Sequence, residues 1–355
     1  VRLLSLLADV ARNRSGAVPR PRFVTWAVTL RCNATCGACD SWKLPAQEEL
    51  TPDQAGAIFQ ELGRLDAVRL TGGEPTLRAD LPALAEAVRR ASRPGFLHLT
   101  THGGFPDRVL ALAEGYAEPR RLRILVSLDG LEEEHDRSRG RSASFARATE
   151  TVRRLVALRS RGVRVSVNHT IVSPRSLADG DGLRALFAPL GVDVQPVVAY
   201  QASATYSLEL QGRKAEALIQ RDRYPLHPAL DAVETLAFVE RSLRDLSGLR
   251  DGATRLAKRY YLRGLAARLR GERPARPHPK CVALRSHLRL LPDGRVPVCQ
   301  FNGEVVGRLP HQRAAEVWDG AAARSARAWV DACPGCWAEC EVLPSAIYSG
   351  AILTG

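Results

Sequence analysis

The chain has 355 residues, 45% hydrophobic and 25% charged. That is an ordinary globular composition, long enough to bury a large core in one or two domains, and no apolar run approaches the length of a bilayer span. The formal charge of +13 would usually point to nucleic acid, yet aromatics make up 6% and only Lys43, Lys214, Lys258 and Lys280 of the 51 basic residues are lysines, so the charge reads as arginine supplied by GC-rich coding, or as a face for an acidic electron carrier or an anionic substrate.

Residues 1–11 are apolar but broken by Asp9 and followed by Arg12 and Arg14. They read as an amphipathic helix packed on the first domain, not as an export signal. Residues 23–30 read as a strand, and three cysteines follow at once. Thr51 caps a helix that Pro52 opens and that runs to Leu62. A short strand at 67–70 ends in Thr71, Gly72, Gly73, Glu74 and Pro75. Helix 80–91, strand 96–100, helix 106–114, strand 122–127, helix 144–161, strand 163–168, helix 181–188 and strand 192–198 complete the series. Six strands alternating with six helical stretches require a parallel sheet with right-handed crossovers. Six units cannot close as eight do, so the expected architecture is α/β, a partial (β/α)6 TIM-type barrel. Polar groups gather at the carboxyl ends of its strands, where sites belong in such folds.

Residues 206–275 break this rhythm. They read as helices, basic and closed by Pro274, Pro277 and Pro279, and padding the barrel's side is the default reading. The expected organisation is a lead-in over 1–22, a barrel over 23–205, a helical connection over 206–275 and a small C-terminal domain over 276–355.

Cys32, Cys36 and Cys39 are separated by three residues and then two. Thiolates this close can hold three irons of a small cluster and leave the fourth iron open, whereas most iron–sulfur clusters have four cysteine ligands. Structural zinc would want a fourth ligand at knuckle spacing, and after Cys39 the next cysteine is Cys281 and the nearest histidine His98. A disulfide reading leaves an odd thiol. Labile clusters and free thiols call for a reducing compartment, so a cytoplasmic protein is expected. The second cysteine group is Cys281, Cys299, Cys333, Cys336 and Cys340. Between the first two lies a hairpin with its turn at Pro292, Asp293 and Gly294, which brings their sulfurs together. Four of these five thiols could hold one [4Fe–4S] cluster, or zinc.

The three-cysteine loop, followed one strand later by Gly72-Gly73-Glu74-Pro75, resembles the radical S-adenosylmethionine (SAM) enzymes and their "GGEP" motif. In that family a [4Fe–4S] cluster binds SAM at its open iron, and an electron cleaves SAM to a 5′-deoxyadenosyl radical that takes a hydrogen atom from the substrate. The resemblance implies SAM contacts at Gly72, Gly73, Glu74, Pro75, Ser127 and Asn168, the last two at the ends of the fourth and fifth strands. The glycines would let backbone approach the ligand, and the turn's carbonyls and Glu74 would accept from the SAM ammonium. Ordinary strand-end capping is the plainer reading of Ser127 and Asn168. Two departures stand out: His102 replaces an asparagine common in the family, and Ala38 replaces the aromatic that usually precedes the third cysteine.

Residues 281–340 resemble the SPASM and shorter twitch domains of the same family. By the twitch pattern Cys281, Cys299, Cys333 and Cys336 hold one auxiliary [4Fe–4S] cluster and Cys340 is spare: a buried thiol, a replacement ligand, a substrate contact or a hydrogen-atom donor. Family dehydrogenases often set a carboxylate base beside an auxiliary cysteine; Gln300 cannot serve as one. About twenty residues precede the first strand, so no leader-binding domain is expected, which favours a sugar, aminoglycoside or nucleoside-like metabolite, undergoing oxidation, epimerisation or rearrangement, over a ribosomally made peptide. Other readings are an RNA-modifying enzyme and a non-catalytic, metal-stabilised binding protein. A flavodoxin- or ferredoxin-type donor would supply the electron, and no membrane partner is expected.

Overall fold

The computed structural model describes residues 3–272 and 278–353; Pro274 and Pro277 lie outside them. Helix α1 (Leu3–Ser15) leads into strand β1 (Phe23–Thr29). Then come α2 (Pro52–Leu62), β2 (Ala67–Gly72), α3 (Leu81–Ser92), β3 (Phe96–Thr101), α4 (Pro106–Gly115), β4 (Leu122–Leu128), α5 (Glu132–Arg139), α6 (Ser144–Ala157), β5 (Arg164–Ile171), α7 (Pro174–Ala178), α8 (Gly180–Phe187) and β6 (Asp193–Val198). The expected alternation is present. Thr51 forms a capping box with Gln54, and Pro52 occupies the first turn of α2.

The seven-stranded sheet has the order β6-β5-β4-β3-β2-β1-β7, all parallel. Its seventh strand, β7 (His287–Leu290), corrects the expected hairpin. The turn at 292–294 exists, with the Leu291 N–H donating to the Arg295 carbonyl at 2.9 Å. Its first limb, however, pairs with the free edge of β1, His287 beside Phe23 and Arg289 beside Thr25. The second limb, β8 (Arg295–Pro297), pairs antiparallel with β9 (Val305–Arg308). A strand of the expected C-terminal domain thus lies in the barrel sheet. It fits there because all four of its residues are buried and His287 Nε2 meets Thr25 Oγ1 at 2.9 Å.

Buried and half-exposed residues alternate along β3 to β6. Leu97, Leu99, Ile124, Val126, Val165 and Val167 face the helices and share their core with Leu84, Val88, Val152 and Leu155. The opposite parity (His98, Thr100, Ser127, Ser166, Asn168, Gln195) forms a polar inner face that is only half buried. The sheet does not close, since β6 and β7 remain unpaired.

Helices α9 (Ala232–Arg244) and α10 (Gly252–Leu269) pack together beside the β6 edge. They pad the side of the barrel, as expected, but helix begins later than expected: residues 206–231 are mostly irregular and cross towards the barrel mouth, where the Asp40 N–H donates to the Tyr206 carbonyl at 3.1 Å. The chain ends in α11 (Ala314–Asp319), α12 (Ala321–Ala332) and α13 (Glu339–Tyr348). Helix α13 stands in the gap between β6 and β7. On one side Lys258 Nζ reaches both the Pro196 carbonyl, 3.2 Å, and Glu339, 2.8 Å; on the other Glu341 binds Arg289 at 2.6 Å and His287 at 3.3 Å. Helix α1 docks on the C-terminal segments as well as on the barrel: Asn13 Nδ2 donates to Ser286 Oγ and to the Tyr348 carbonyl. No helix among the described residues is long and apolar enough to cross a membrane.

Candidate active site and two thiol groups

Cys32, Cys36 and Cys39 lie on the loop leaving the carboxyl end of β1, all partly exposed. The loop is held from both sides. Ser41 Oγ donates to the Leu30 carbonyl at 2.6 Å and the Ser41 N–H to Cys39 Sγ at 3.4 Å. From the end of α5, the Arg139 carbonyl accepts from the Thr35 N–H at 2.9 Å, and the Arg139 guanidinium reaches Cys36 Sγ at 3.8 Å. Asp129 fixes that guanidinium at 2.7 Å. The sequence reading missed Arg139, because α5 (Glu-Glu-Glu-His-Asp-Arg-Ser-Arg) has no apolar period to announce a helix. Burial pushes the Cys32 and Cys39 thiols up to about 11 and also raises Cys36, where Arg139 opposes it. Without a metal to compensate their charge these sulfurs hold their protons, and loading a cluster must release them.

The Gly72-Gly73 turn abuts this loop. Gly72 has φ +148°, and a Cβ there would stand 2.0 Å from the Thr29 carbonyl oxygen; one on Gly73 would stand 2.2 Å from that of Arg31. The glycines therefore admit the backbone of the cysteine loop itself, with the Gly73 N–H donating to Thr29 O at 2.8 Å and the Glu74 N–H to Arg31 O at 2.9 Å. Glu74 is placed differently from the expectation. Its carboxylate is fully buried and accepts from the Thr76 N–H, 3.0 Å, Thr76 Oγ1, 2.5 Å, Thr101 Oγ1, 2.7 Å, and the His102 N–H, 2.8 Å. It fastens the end of β2 to the end of β3, with three of these bonds on Oε1 and one on Oε2; the backbone carbonyls of the turn are further acceptors. Pro75 opens the short turn beyond it and is buried.

His102, the departure from the family pattern, bridges the two loops. Its Nδ1 accepts from the Gly104 N–H at 2.8 Å, so Nε2 carries the proton and donates to Asn33 Oδ1 at 2.8 Å. Burial lowers its pKa and favours this neutral form. Ser127 and Asn168 are direct cross-strand neighbours on the inner face, at the level of the mouth. Asn168 Nδ2 donates to Thr170 Oγ1 at 3.1 Å, and the Ser127 hydroxyl has no protein partner among the described residues.

The C-terminal cysteines divide four and one. Cys281, Cys299, Cys333 and Cys336 line one small cavity with Phe301 and Trp329. Cys340 is not part of its wall. Its sulfur accepts from Arg289 Nη2 at 3.3 Å and faces the barrel interior, with Tyr200 and Tyr206 as neighbours. Burial pushes Cys281 up to about 12 and raises Cys299 and Cys336 further. Four thiols lining one pocket suit a four-iron cluster, which takes four cysteine ligands. Glu341, unremarked in the sequence, lies between this cavity and the barrel. Burial would raise it, but Arg289 and His287 outweigh that and hold its carboxyl near about 2. It also accepts from the Gln300 N–H at 3.0 Å, while the Gln300 amide is engaged by Tyr200 and Ser203.

Thiols on the first loop, a glycine turn against it and an open parallel barrel beneath are now in place. The family pattern "Radical SAM superfamily" matches residues 26–181. These residues are a radical SAM domain. Members of that superfamily bind a [4Fe–4S] cluster and SAM, and the three-thiol loop of this domain suits that cluster. The chain is 31% identical over 152 residues to an Fe-coproporphyrin III synthase of Methanosarcina barkeri, covering 42% of this chain and 36% of that protein. It is 34% identical over 162 residues to a pre-heme d1 synthase of Dinoroseobacter shibae, covering 43% and 37%. The chain thus spans little more than a third of these relatives' length. The fold beyond the radical SAM domain also resembles a solved one: "anSMEcpe with bound AdoMet and Cp18Cys peptide" superposes with a TM-score of 0.59 over 86% of this chain and 82% of that one, at 15% identity.

Proposed function

We propose that this protein is a radical SAM enzyme with one auxiliary [4Fe–4S] cluster, acting on a polar small molecule in the barrel lumen. The observation that carries the reading is the three-thiol loop set over a half-open inner wall of hydroxyl and amide side chains. Cys32, Cys36 and Cys39 hold the first cluster, and the carbonyls of Gly72 and Gly73, Ser127 and Asn168 face SAM. Bound there, a reduced cluster would supply the electron for cleavage of SAM, and with it the means to abstract a hydrogen atom from a substrate carbon. Arg139 and His102 keep the loop in place, and Glu74 locks the turn beneath it. Cys281, Cys299, Cys333 and Cys336 hold the auxiliary cluster at the back of the lumen, where Glu341 separates it from the chamber. Residues 23–205 serve as the SAM-binding unit and 276–355 as the auxiliary unit, joined by 206–275 and preceded by the lead-in 1–22. A reducing compartment and a flavodoxin- or ferredoxin-type donor belong to this reading.

Ser127, Ser166, Asn168, Thr170 and Gln195 on the inner wall suit a hydroxylated metabolite such as a sugar, aminoglycoside or nucleoside, which the enzyme would oxidise, epimerise or rearrange. A peptide substrate is the second reading, favoured by the fold's likeness to a protein solved with a peptide bound. Anaerobic reconstitution with iron and sulfide tests the proposal: about eight irons per chain and dithionite-dependent release of 5′-deoxyadenosine are expected. A loaded protein that leaves SAM intact would overturn it.

A further inference from the structure

Cations stand on and around the barrel's strands, and their partners differ in one respect. Arg139 is paired with Asp129, Arg289 with Glu341, Lys258 with Glu339, and Arg123 lies 4.0 Å from Asp251. Arg69, on β2, has no ion pair among the described residues. Its hydrogen bond runs from Nε to His98 Nδ1 at 3.3 Å, and the guanidinium lies 5.5 Å from the Phe23 ring. Its charged and polar neighbours are Cys340, Glu339, Arg289 and Tyr206, which face it across the barrel, and burial lowers its pKa. The side chain is mostly covered but keeps part of its surface accessible, and that part is open to a ligand.

His98 adds a second donor. Its Nδ1 accepts from Arg69, so its proton sits on Nε2, which has no partner among the described residues. Burial, then Arg69 and Arg123, lower its pKa and keep the ring neutral. A guanidinium and an imidazole N–H, adjacent in register on β2 and β3, form a donor set for an oxyanion: planar and charged on one side, single and neutral on the other. Arg69 lies four residues before Gly73, about 13 Å along an extended strand, and so well below the turn expected to meet SAM.

We propose that Arg69 and His98 form a subsite for an anionic group of the substrate, a carboxylate or a phosphate, at the floor of the lumen. This rests on the radical SAM reading above and sharpens its substrate class: the molecule is polar and carries a negative charge at the end remote from SAM. The substrate supplies the counter-charge that Arg69 lacks among the described residues. An unpaired buried cation disfavours the empty fold, so the site trades stability for recognition.

The test uses the reconstituted full-length protein with SAM bound and reads the melting temperature in chloride, inorganic phosphate and succinate at matched ionic strength. In the wild type, phosphate or succinate raises it above the chloride value, and the arm with the larger shift tells phosphate from carboxylate. In Arg69→Gln the anion-specific shift is lost, the chloride value equals or exceeds that of the wild type, and Arg69→Lys restores part of the shift. The proposal is overturned if the wild type shows no shift over chloride, if Arg69→Gln retains it, or if Arg69→Gln fails to fold, which would make Arg69 a structural residue. Release of 5′-deoxyadenosine by the wild type is followed in parallel. Its absence would defeat the radical SAM reading whatever the anions do, and its presence with flat melting curves would defeat the subsite alone.

Discussion

The two thiol groups are built on opposite principles. Cys32, Cys36 and Cys39 come from one eight-residue loop at a polar, open mouth, tied by His102 and Arg139 to neighbouring strand ends. Cys281, Cys299, Cys333 and Cys336 come from three chain segments, 18 and 34 residues apart, and meet around an apolar-walled cavity with Phe301 and Trp329. A three-point support at an open mouth leaves room for a ligand that exchanges. Four points around an apolar pocket leave no open position on a cluster, and suit a resident group that bolts β7, α12 and α13 together. The difference separates chemistry from architecture and electron storage.

The largest effect expected is at the mouth. Cys32→Ala, Cys36→Ala or Cys39→Ala each abolish formation of 5′-deoxyadenosine, measured by chromatography after dithionite reduction, because two thiols cannot hold the cluster that SAM must meet. Cleavage by the triple variant would erase the distinction between the groups. Next comes the cavity. Cys281→Ala with Cys299→Ala lowers the iron count from about eight to about four per chain, leaves some uncoupled SAM cleavage and removes most substrate turnover. A lowered melting temperature with normal turnover in the folded fraction would make the auxiliary group a staple only.

Gly73→Ala addresses the mouth without touching a thiol. Its Cβ would meet the Arg31 carbonyl oxygen at 2.2 Å, a backbone atom that cannot swing aside, and a loss of about 3 kcal/mol is expected from denaturant unfolding, with the first cluster destabilised before the second. Acid acts on the mouth as well. His135 accepts from the Asp129 N–H at 3.1 Å, and burial pushes its pKa down to about 3. In the unfolded chain it titrates near about 6.5. The fold therefore has this stability in full above about 6.5 and loses it as pH falls towards about 3, by up to about 1.4 kcal/mol per unit. His135→Gln should flatten the slope of melting temperature against pH between about 6.5 and about 5.

Much of this was legible in the sequence because it is local. The alternation of strand and helix, the Thr51 cap and the spacing of the three cysteines each depend on residues within a few positions of one another. What was not legible depends on partners far along the chain. The run His287 to Leu290 looks the same whether it folds back as a hairpin limb or joins β1. Glu74 carries the right group for a ligand contact, and that it also ties β2 to the end of β3 shows only once Thr101 and His102 arrive beside it. Arg69 is an unremarkable strand residue until the partners of its neighbours are known.

The smallest effect separates the five C-terminal cysteines. By sequence Cys340 sits four residues from Cys336 and could replace it as a ligand. In the fold, α13 turns Cys340 towards Arg289 and the barrel while Cys336 faces the cavity. Cys340→Ser should therefore keep about eight irons and an unchanged auxiliary-cluster spectrum. The serine hydroxyl can take over the Arg289 N–H, so the stability change should stay near about 1 kcal/mol. Cys336→Ser, only four residues earlier in the chain, should lose about four irons. Equal iron loss in the two variants would mean that the auxiliary group draws on both sulfurs and that the cavity and the lumen are one site. Retention of iron by Cys336→Ser with loss by Cys340→Ser would reverse the assignment and place the auxiliary ligand on the substrate side of Glu341.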